Sequence, residues 1–326
     1  MKVTRNDYLD HFLRTALSIV GFPLSVTQFI LSKKDRTKFK PTGQIVHIGS
    51  NKLHVNVSGQ GSPTVILEAG MGAFSLDWCL VQPEISKFAT VISYDRAGFG
   101  WSSATHKKST CKDYVDDLRQ ALSALNLKPP YVLVGHSYGG LIMRLFAAEY
   151  PEEVAGLVLV DSTHENRFLH EFMDLKRKEQ WNKAKKLYRL GYLLSPLGIP
   201  RFMKSSFVGS KRLPSAEQRM VKALGYQTKA YRAMYLELIN SMESGRQLQS
   251  VKKLAAQLPV IVLTAGKQDE DWKKQQTELL SLTDSTKQII VEDSWHSIQI
   301  HNPDIVIKSI REMVDGGGQL TSNTSR

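Results

Sequence analysis

Cysteine is nearly absent. The chain of 326 residues has only Cys79 and Cys111. A disulfide framework and a four-cysteine zinc site are thereby excluded, and folding does not depend on an oxidising compartment. Walker-type loops, H-E-x-x-H and EF-hand patterns are missing. Gly70-Met71-Gly72 lacks the third glycine of a dinucleotide fingerprint, because position 75 is Ser. No metal and no organic cofactor are expected. Long apolar runs are scarce, and no small-residue cleavage site follows the N-terminal segment, so a secretory signal peptide is not expected. The composition, 42% hydrophobic and 23% charged, is that of a globular protein with a core.

Acidic residues are the minority charge, with 43 Lys and Arg against 31 Asp and Glu, a net charge of +12. The excess is local. Residues 162–256 hold 19 basic and 7 acidic side chains, residues 1–40 hold 8 and 3, and the remainder holds 16 and 21. No nucleic-acid-binding module accompanies the basic segments, so no nucleic-acid partner is expected. A solvated basic surface and attraction to an anionic membrane are the two readings of that charge.

Residues 7–20 alternate at helical spacing, with Leu9, Phe12, Leu13, Ala16, Leu17 and Val20 on one face. Gly21 and Pro23 interrupt the pattern. A second apolar piece, Leu24 to Leu31, runs into the basic string Lys33, Lys34, Arg36, Lys38 and Lys40. The stretch from Thr15 to Leu31 is at the lower limit of a membrane span. A helix packed over the protein, an interfacial helix and a spanning anchor are all compatible with it. The expected location is cytoplasmic, with membrane association through residues 1–40.

Past Pro41, β-rich runs appear at Leu53–Val57, Val65–Leu67, Val91–Tyr94, Tyr131–Val134, Gly156–Val160, Val260–Thr264 and Gln288–Val291. Those starting at Val65, Tyr131, Gly156 and Val260 are nearly all apolar, as strands buried on both faces of a parallel sheet are. Helical patterns at Cys111–Leu125, Leu141–Tyr150 and Ile305–Val314 lie between or after them. The alternation predicts a doubly wound, mostly parallel α/β sheet. The run between Val160 and Val260 is too long for a loop and rich in large side chains such as Phe168, Trp181, Tyr192 and Tyr235. It reads as an inserted helical cap, so the predicted organisation is an arm (1–40), a core (41–161 and 257–326) and a cap (162–256).

Val132-Leu-Val-Gly135-His136-Ser137-Tyr138-Gly139-Gly140 is an apolar strand entering G-x-S-x-G, with a helical run leaving it. This is the nucleophile-elbow pattern: small neighbours let strand and helix meet closely while the turn lifts the serine hydroxyl above the strand's carboxyl end. A serine hydroxyl needs a base. His296, between the last strand and the last helix, falls at that same sheet edge. His136 is adjacent to Ser137 and reads as packing or support. His47 and His54 read as structural, while His164 and His301 are weaker rivals near sheet ends. The imidazole needs an orienting carboxylate. Asp269, three residues past Gly266 after the Val260 strand, is the preferred candidate. Glu270, Asp271 and Asp161, the last just after the preceding strand, compete with it.

The order Ser137, Asp269, His296, the elbow, the strand–helix alternation and Tyr94-Asp95-Arg96-Ala97-Gly98-Phe99-Gly100-Trp101-Ser102 together resemble the α/β-hydrolase family over roughly residues 42–314. The resemblance implies that fold with a cap insertion, and a serine hydrolase acting through a Ser-His-Asp acyl-enzyme on a small-molecule acyl substrate. It implies an oxyanion hole from the Tyr138 N–H and a backbone donor in Leu67-Glu68-Ala69-Gly70-Met71-Gly72, with Met71 as candidate. Glu68-Ala69 stands where the family often has a His, which leaves a backbone donor intact. Ser75, Asp77 and Trp78 are candidate pocket residues. The apolar cap favours an apolar ester. A slow-turnover receptor, a carbon–carbon bond hydrolase, an amidase or peptidase and an acyltransferase share the constellation.

Overall fold

The computed structural model describes residues 5–105, 107–204 and 212–321. Eight strands form one sheet: β1 (Gln44–Ile48), β2 (Asn51–Ser58), β3 (Thr64–Glu68), β4 (Val91–Tyr94), β5 (Tyr131–His136), β6 (Val154–Val160), β7 (Val260–Ala265) and β8 (Thr286–Val291). Their order is β1-β2-β4-β3-β5-β6-β7-β8. β2 pairs antiparallel with β1 and β4, and every other pairing is parallel. β3, β5 and β7 are buried at every position, as their uninterrupted apolar runs require. β1 is the strand that the apolar runs did not mark. Its QIVHI alternates, with Val46 and Ile48 inward and Gln44, Ile45 and His47 exposed, as on a half-solvated edge.

Two arm helices precede the sheet: α1 (Arg5–Val20) and α2 (Phe22–Lys38). α3 (Gln82–Ile85), α4 (Cys111–Ala124), α5 (Tyr138–Glu149), α11 (Glu270–Glu278), α12 (Ile298–His301) and α13 (Pro303–Thr321) surround the sheet. Thr110 and Asp113 form a reciprocal capping box that starts α4. One face of the sheet packs Leu118, Leu122, Ile142 and Phe146 against Leu133 and Leu157. The other packs Trp78, Ile85, Val306 and Ile310 against Val132, Val158 and Ile261.

Between β6 and β7 the described chain is helical: α6 (Leu175–Leu194), α7 (Ile199–Phe202), α8 (Ser215–Gly225), α9 (Thr228–Ile239) and α10 (Ser241–Ser250). A third apolar cluster joins this segment to the core through Phe74, Leu76, Phe99, Leu224 and Met234. The arm lies on the cap. Arg189 of α6 holds Asp10 at 2.5 Å, and Arg201 of α7 holds Asp35 at 2.7 Å. The buried Gln28 donates to the Tyr226 carbonyl at 2.8 Å and accepts from Arg201 Nε at 2.9 Å. No single helix among the described residues is long and apolar enough to cross a membrane, and α1 and α2 meet at a bend of 97°.

Candidate active site

Ser137 sits between β5 and α5 with φ 52° and ψ −121°, a conformation that a non-glycine residue adopts only under constraint. The constraint is close packing. A methyl group added to Gly139 would lie 2.6 Å from the Glu68 and Ala69 carbonyl oxygens. The Ser137 N–H is tied to the Val160 carbonyl at 3.1 Å. The hydroxyl therefore stands at the carboxyl edge of the sheet, 2.9 Å from His296 Nε2 and 3.4 Å from Thr163 Oγ1.

The other ring nitrogen, His296 Nδ1, lies 2.7 Å from Asp161 Oδ2. Asp161, and not Asp269, is the carboxylate that holds this imidazole, which corrects the expectation from sequence. Strand order gives the reason. β6 is the hydrogen-bonded neighbour of β5, with His136 opposite Val160, so the residue after Val160 emerges beside Ser137. Asp269 lies one strand further out and beyond the turn. Its side chain accepts the Trp272 N–H at 2.8 Å as the N-cap of α11. Glu270 and Asp271 are exposed in the first turn of that helix, where Asp271 meets Arg177 at 2.8 Å.

Asp161 is fully buried and accepts from four donors. Beside His296, these are the Ala265 N–H at 3.0 Å, the Gln268 amide at 3.0 Å and the Trp272 indole N–H at 2.9 Å. Trp272 also stands edge-on to the His296 ring, 4.9 Å between centroids. The end of β7, the turn after it and the first turn of α11 thus supply the hydrogen bonds, and the residue after β6 the carboxylate. Gln268 and Trp272 carried no signal in the sequence. Asp161 did, as the first polar residue after a continuous apolar strand.

His136 supports His296 from below. Its ring lies 4.8 Å from the His296 ring, and its Nε2 lies 3.1 Å from the His296 carbonyl oxygen, to which it donates as neutral imidazole. Burial, helped by the nearby His296, pushes the His136 pKa well below its ordinary value. His54 is structural: it is buried, with Nδ1 3.0 Å from Asp95 and Nε2 accepting the Gly43 N–H. His164 and His301 make none of the Ser137 contacts. His47 is exposed on β1. Both thiols are pushed up to about 12, each mainly by burial, so neither is a thiolate at neutral pH.

The loop over residues 68–73 runs beside the elbow. A methyl group on Gly70 would lie 3.3 Å from Ser137 Cβ. Three carbonyls of this loop, those of Ala69, Gly70 and Ala73, turn away and accept from the Arg96 guanidinium. Arg96 also pairs with Glu68 and, at 2.9 Å through Nε, with Glu237 of α9. Glu237 Oε2 takes the Gly72 N–H at 2.8 Å. All three charged groups are buried. Burial pushes Glu68 and Glu237 upward against the pull of Arg96. Met71, the expected donor, thus sits in a loop whose neighbouring Gly72 N–H is already engaged. Tyr138 opens α5, so its N–H has no acceptor within the helix. Ser75, Asp77 and Trp78 lie in a short 3-10 turn and are buried. Trp78 belongs to the core beneath the sheet, while Ser75 donates its N–H to Asp95 at 3.0 Å. Burial pushes Asp77 up to about 7. No group of three or more metal-ligating side chains occurs among the described residues.

The profile of a family described as "alpha/beta hydrolase fold" matches residues 63–303. The chain belongs to that family. An uncharacterized protein of Schizosaccharomyces pombe is 32% identical over 245 residues, which cover 73% of this chain and 44% of the yeast protein. The chain thus spans less than half the length of that relative. An uncharacterized Bacillus subtilis protein is 27% identical, covering 78% of this chain and 85% of its own length. Among solved structures, the epoxide hydrolase CorEH has a TM-score of 0.67 at 19% identity, covering 83% of this chain and 98% of its own. A thermophilic esterase from Thermogutta terrifontis has a TM-score of 0.63 at 20% identity, covering 84% of this chain and 99% of its own. These likenesses establish the alpha/beta hydrolase fold, and the choice among hydrolase chemistries falls to the site.

Proposed function

We propose that this protein is a serine hydrolase that cleaves an ester of an apolar acyl group through an acyl-enzyme. The observation that carries the reading is His296, with its two ring nitrogens 2.9 Å from the Ser137 hydroxyl and 2.7 Å from Asp161. In this mechanism Ser137 Oγ attacks the acyl carbonyl as His296 Nε2 takes the hydroxyl proton. Asp161 fixes the ring and offsets the charge on the imidazolium. The Met71 and Tyr138 N–H groups are assigned to the tetrahedral oxyanion, where one lost donor typically costs about 3–4 kcal/mol of barrier. The imidazolium then returns its proton to the leaving alcohol. Water, deprotonated by the same ring, attacks the acyl-serine and releases the acid.

The nucleophile separates this reading from that of the structurally similar epoxide hydrolase. Opening an epoxide or displacing a halide through an alkyl-enzyme ester calls for a carboxylate nucleophile, and a hydroxyl stands at position 137. Support for an apolar acyl group comes from Met71, Phe168 and Met234 around the elbow and its facing loop. The test is turnover of p-nitrophenyl esters of graded chain length by wild type and Ser137→Ala. Multiple turnovers that rise with chain length and vanish in the variant are expected. Equal rates in the two proteins, or a single turnover per molecule of wild type, would sink the proposal.

A further inference from the structure

Away from Ser137, a cavity of about 610 Å3 lies where the arm, the cap and the loop after β4 meet. Its walls carry four cationic side chains, Arg14 and Arg36 from the arm and Lys229 and Arg232 from α9, and among the described residues no carboxylate lines it. The arm's nearby acids are engaged elsewhere, Asp10 on Arg189 and Asp35 on Arg201. Two of the cations are held in place by backbone. Lys229 Nζ donates to the Ser102 carbonyl and to that of Gly100 at 2.7 Å, and Arg232 donates to the Thr105 carbonyl at 2.9 Å. Gathering like charges in a recess that no carboxylate lines is unfavourable, and it creates a focused positive potential there.

A second observation is independent of charge. Gln227 lines the same cavity, is 1% exposed, and neither its amide oxygen nor its amide nitrogen has a partner among the described residues. An orphaned buried amide is destabilising, and a ligand with polar groups would relieve it. The Nε of Arg14 is likewise unpartnered. Burial pushes Lys229 down to about 8, a cost that an adjacent anion would offset.

A third observation concerns the rim. Phe29, which lines the cavity, is 61% exposed and continues along α2 into Val26 and Phe22, while Phe12, Ile19 and Val20 of α1 are exposed around the bend. Lys33 and Lys34 flank this apolar hook on the next turn of α2. An apolar surface opening onto a cationic recess matches a molecule with a negative head and a hydrocarbon tail.

We propose that this arm–cap cavity binds the phosphate or carboxylate headgroup of an anionic amphiphile, whose acyl chain lies against the exposed apolar face of the two arm helices. The site is separate from the catalytic serine and does not depend on it. The experiment is calorimetric titration of the full chain with dodecyl phosphate below its micellar concentration, with dodecyl maltoside as the neutral comparison. Parallel sedimentation uses phosphatidylcholine vesicles with and without phosphatidic acid. The wild type should bind dodecyl phosphate, with affinity falling as salt rises, and should not bind the maltoside comparably. Arg36→Gln combined with Arg232→Gln should weaken binding at least tenfold, and Gln227→Leu at least threefold, with thermal melting used to confirm that each variant is folded. Ser137→Ala should bind as the wild type does. Sedimentation with phosphatidic acid that the double variant loses assigns the headgroup to a bilayer. Binding of dodecyl phosphate alone assigns it to a free amphiphile. Equal affinity for the neutral detergent, unchanged binding by both folded cavity variants, loss of binding in Ser137→Ala, or no binding of either anionic probe would overturn the site.

Discussion

A single carboxylate separates the two competing versions of this active site. Asp161 accepts from four donors and touches His296, whereas Asp269 caps a helix. Asp161→Asn keeps the shape but disfavours the tautomer that places a lone pair toward Ser137, so kcat on a p-nitrophenyl ester should fall by about 10³–10⁴. Asp269→Ala should leave kcat within about twofold and cost about 1 kcal/mol in urea unfolding, the worth of an N-cap. The reverse pattern would restore Asp269 to the site. His136 gives a pH prediction. Its pKa is depressed in the folded protein relative to 6.5, because burial and the neighbouring His296 and His301 disfavour its charge. Below that ordinary value the unfolded chain takes up a proton that the native protein refuses, so stability is kept above it and lost as the pH falls. His164 and His301 are depressed by burial too and act in the same direction. Urea midpoints should drop from pH 8 to pH 5, and His136→Gln should flatten that slope by up to about 1.4 kcal/mol per pH unit.

At the level of elements, the question is how a loop after β3 is held against the elbow. Arg96, just past the end of β4, turns three carbonyls of that loop toward itself and carries Glu68 on one side and Glu237 of α9 on the other. Arg96→Met would leave two buried carboxylates facing each other without a counter-ion. A loss of about 3–5 kcal/mol in urea unfolding is expected, against under about 1 kcal/mol for an exposed arginine such as Arg311→Met. Sequence made the strands legible because burial on both faces writes itself as an apolar run, as in Val65–Leu67 and Val260–Leu263. It made the elbow legible because only small residues allow the crossing at Gly135 and Gly139. β1 escaped because an edge strand keeps polar residues on its open face. The acid was misassigned for a deeper reason. Two acids follow two parallel strands at the right sheet edge, and which strand lies beside β5 is a property of sheet order, absent from either segment. The Arg96 network escaped likewise, because its three charges are separated by 28 and 141 positions and meet only in the folded chain.

On the scale of the molecule, the arm is joined to the cap by a few polar contacts and little apolar burial. α1 and α2 expose most of their large apolar side chains, so the Asp35–Arg201 pair, the Asp10–Arg189 pair and the Gln28 bridge carry much of the attachment. A segment anchored in this way opens locally at a lower free energy than the sheet unfolds. Asp35→Ala should therefore act on the arm and leave the sheet intact. It strands the half-buried Arg201 guanidinium, 2.7 Å from the lost carboxylate, and weakens the hold on α2. Trypsin should then cut at the Lys33–Lys40 string several-fold faster than in wild type, while the melting of the core and ester turnover at Ser137, which the arm does not touch, stay unchanged. If cleavage at that string were no faster, the arm would be held by its apolar contacts. If turnover fell in step with cleavage, the arm and the catalytic edge would be one cooperative unit, because the cap helices that carry Arg201 also carry Glu237 beneath the Gly72 loop.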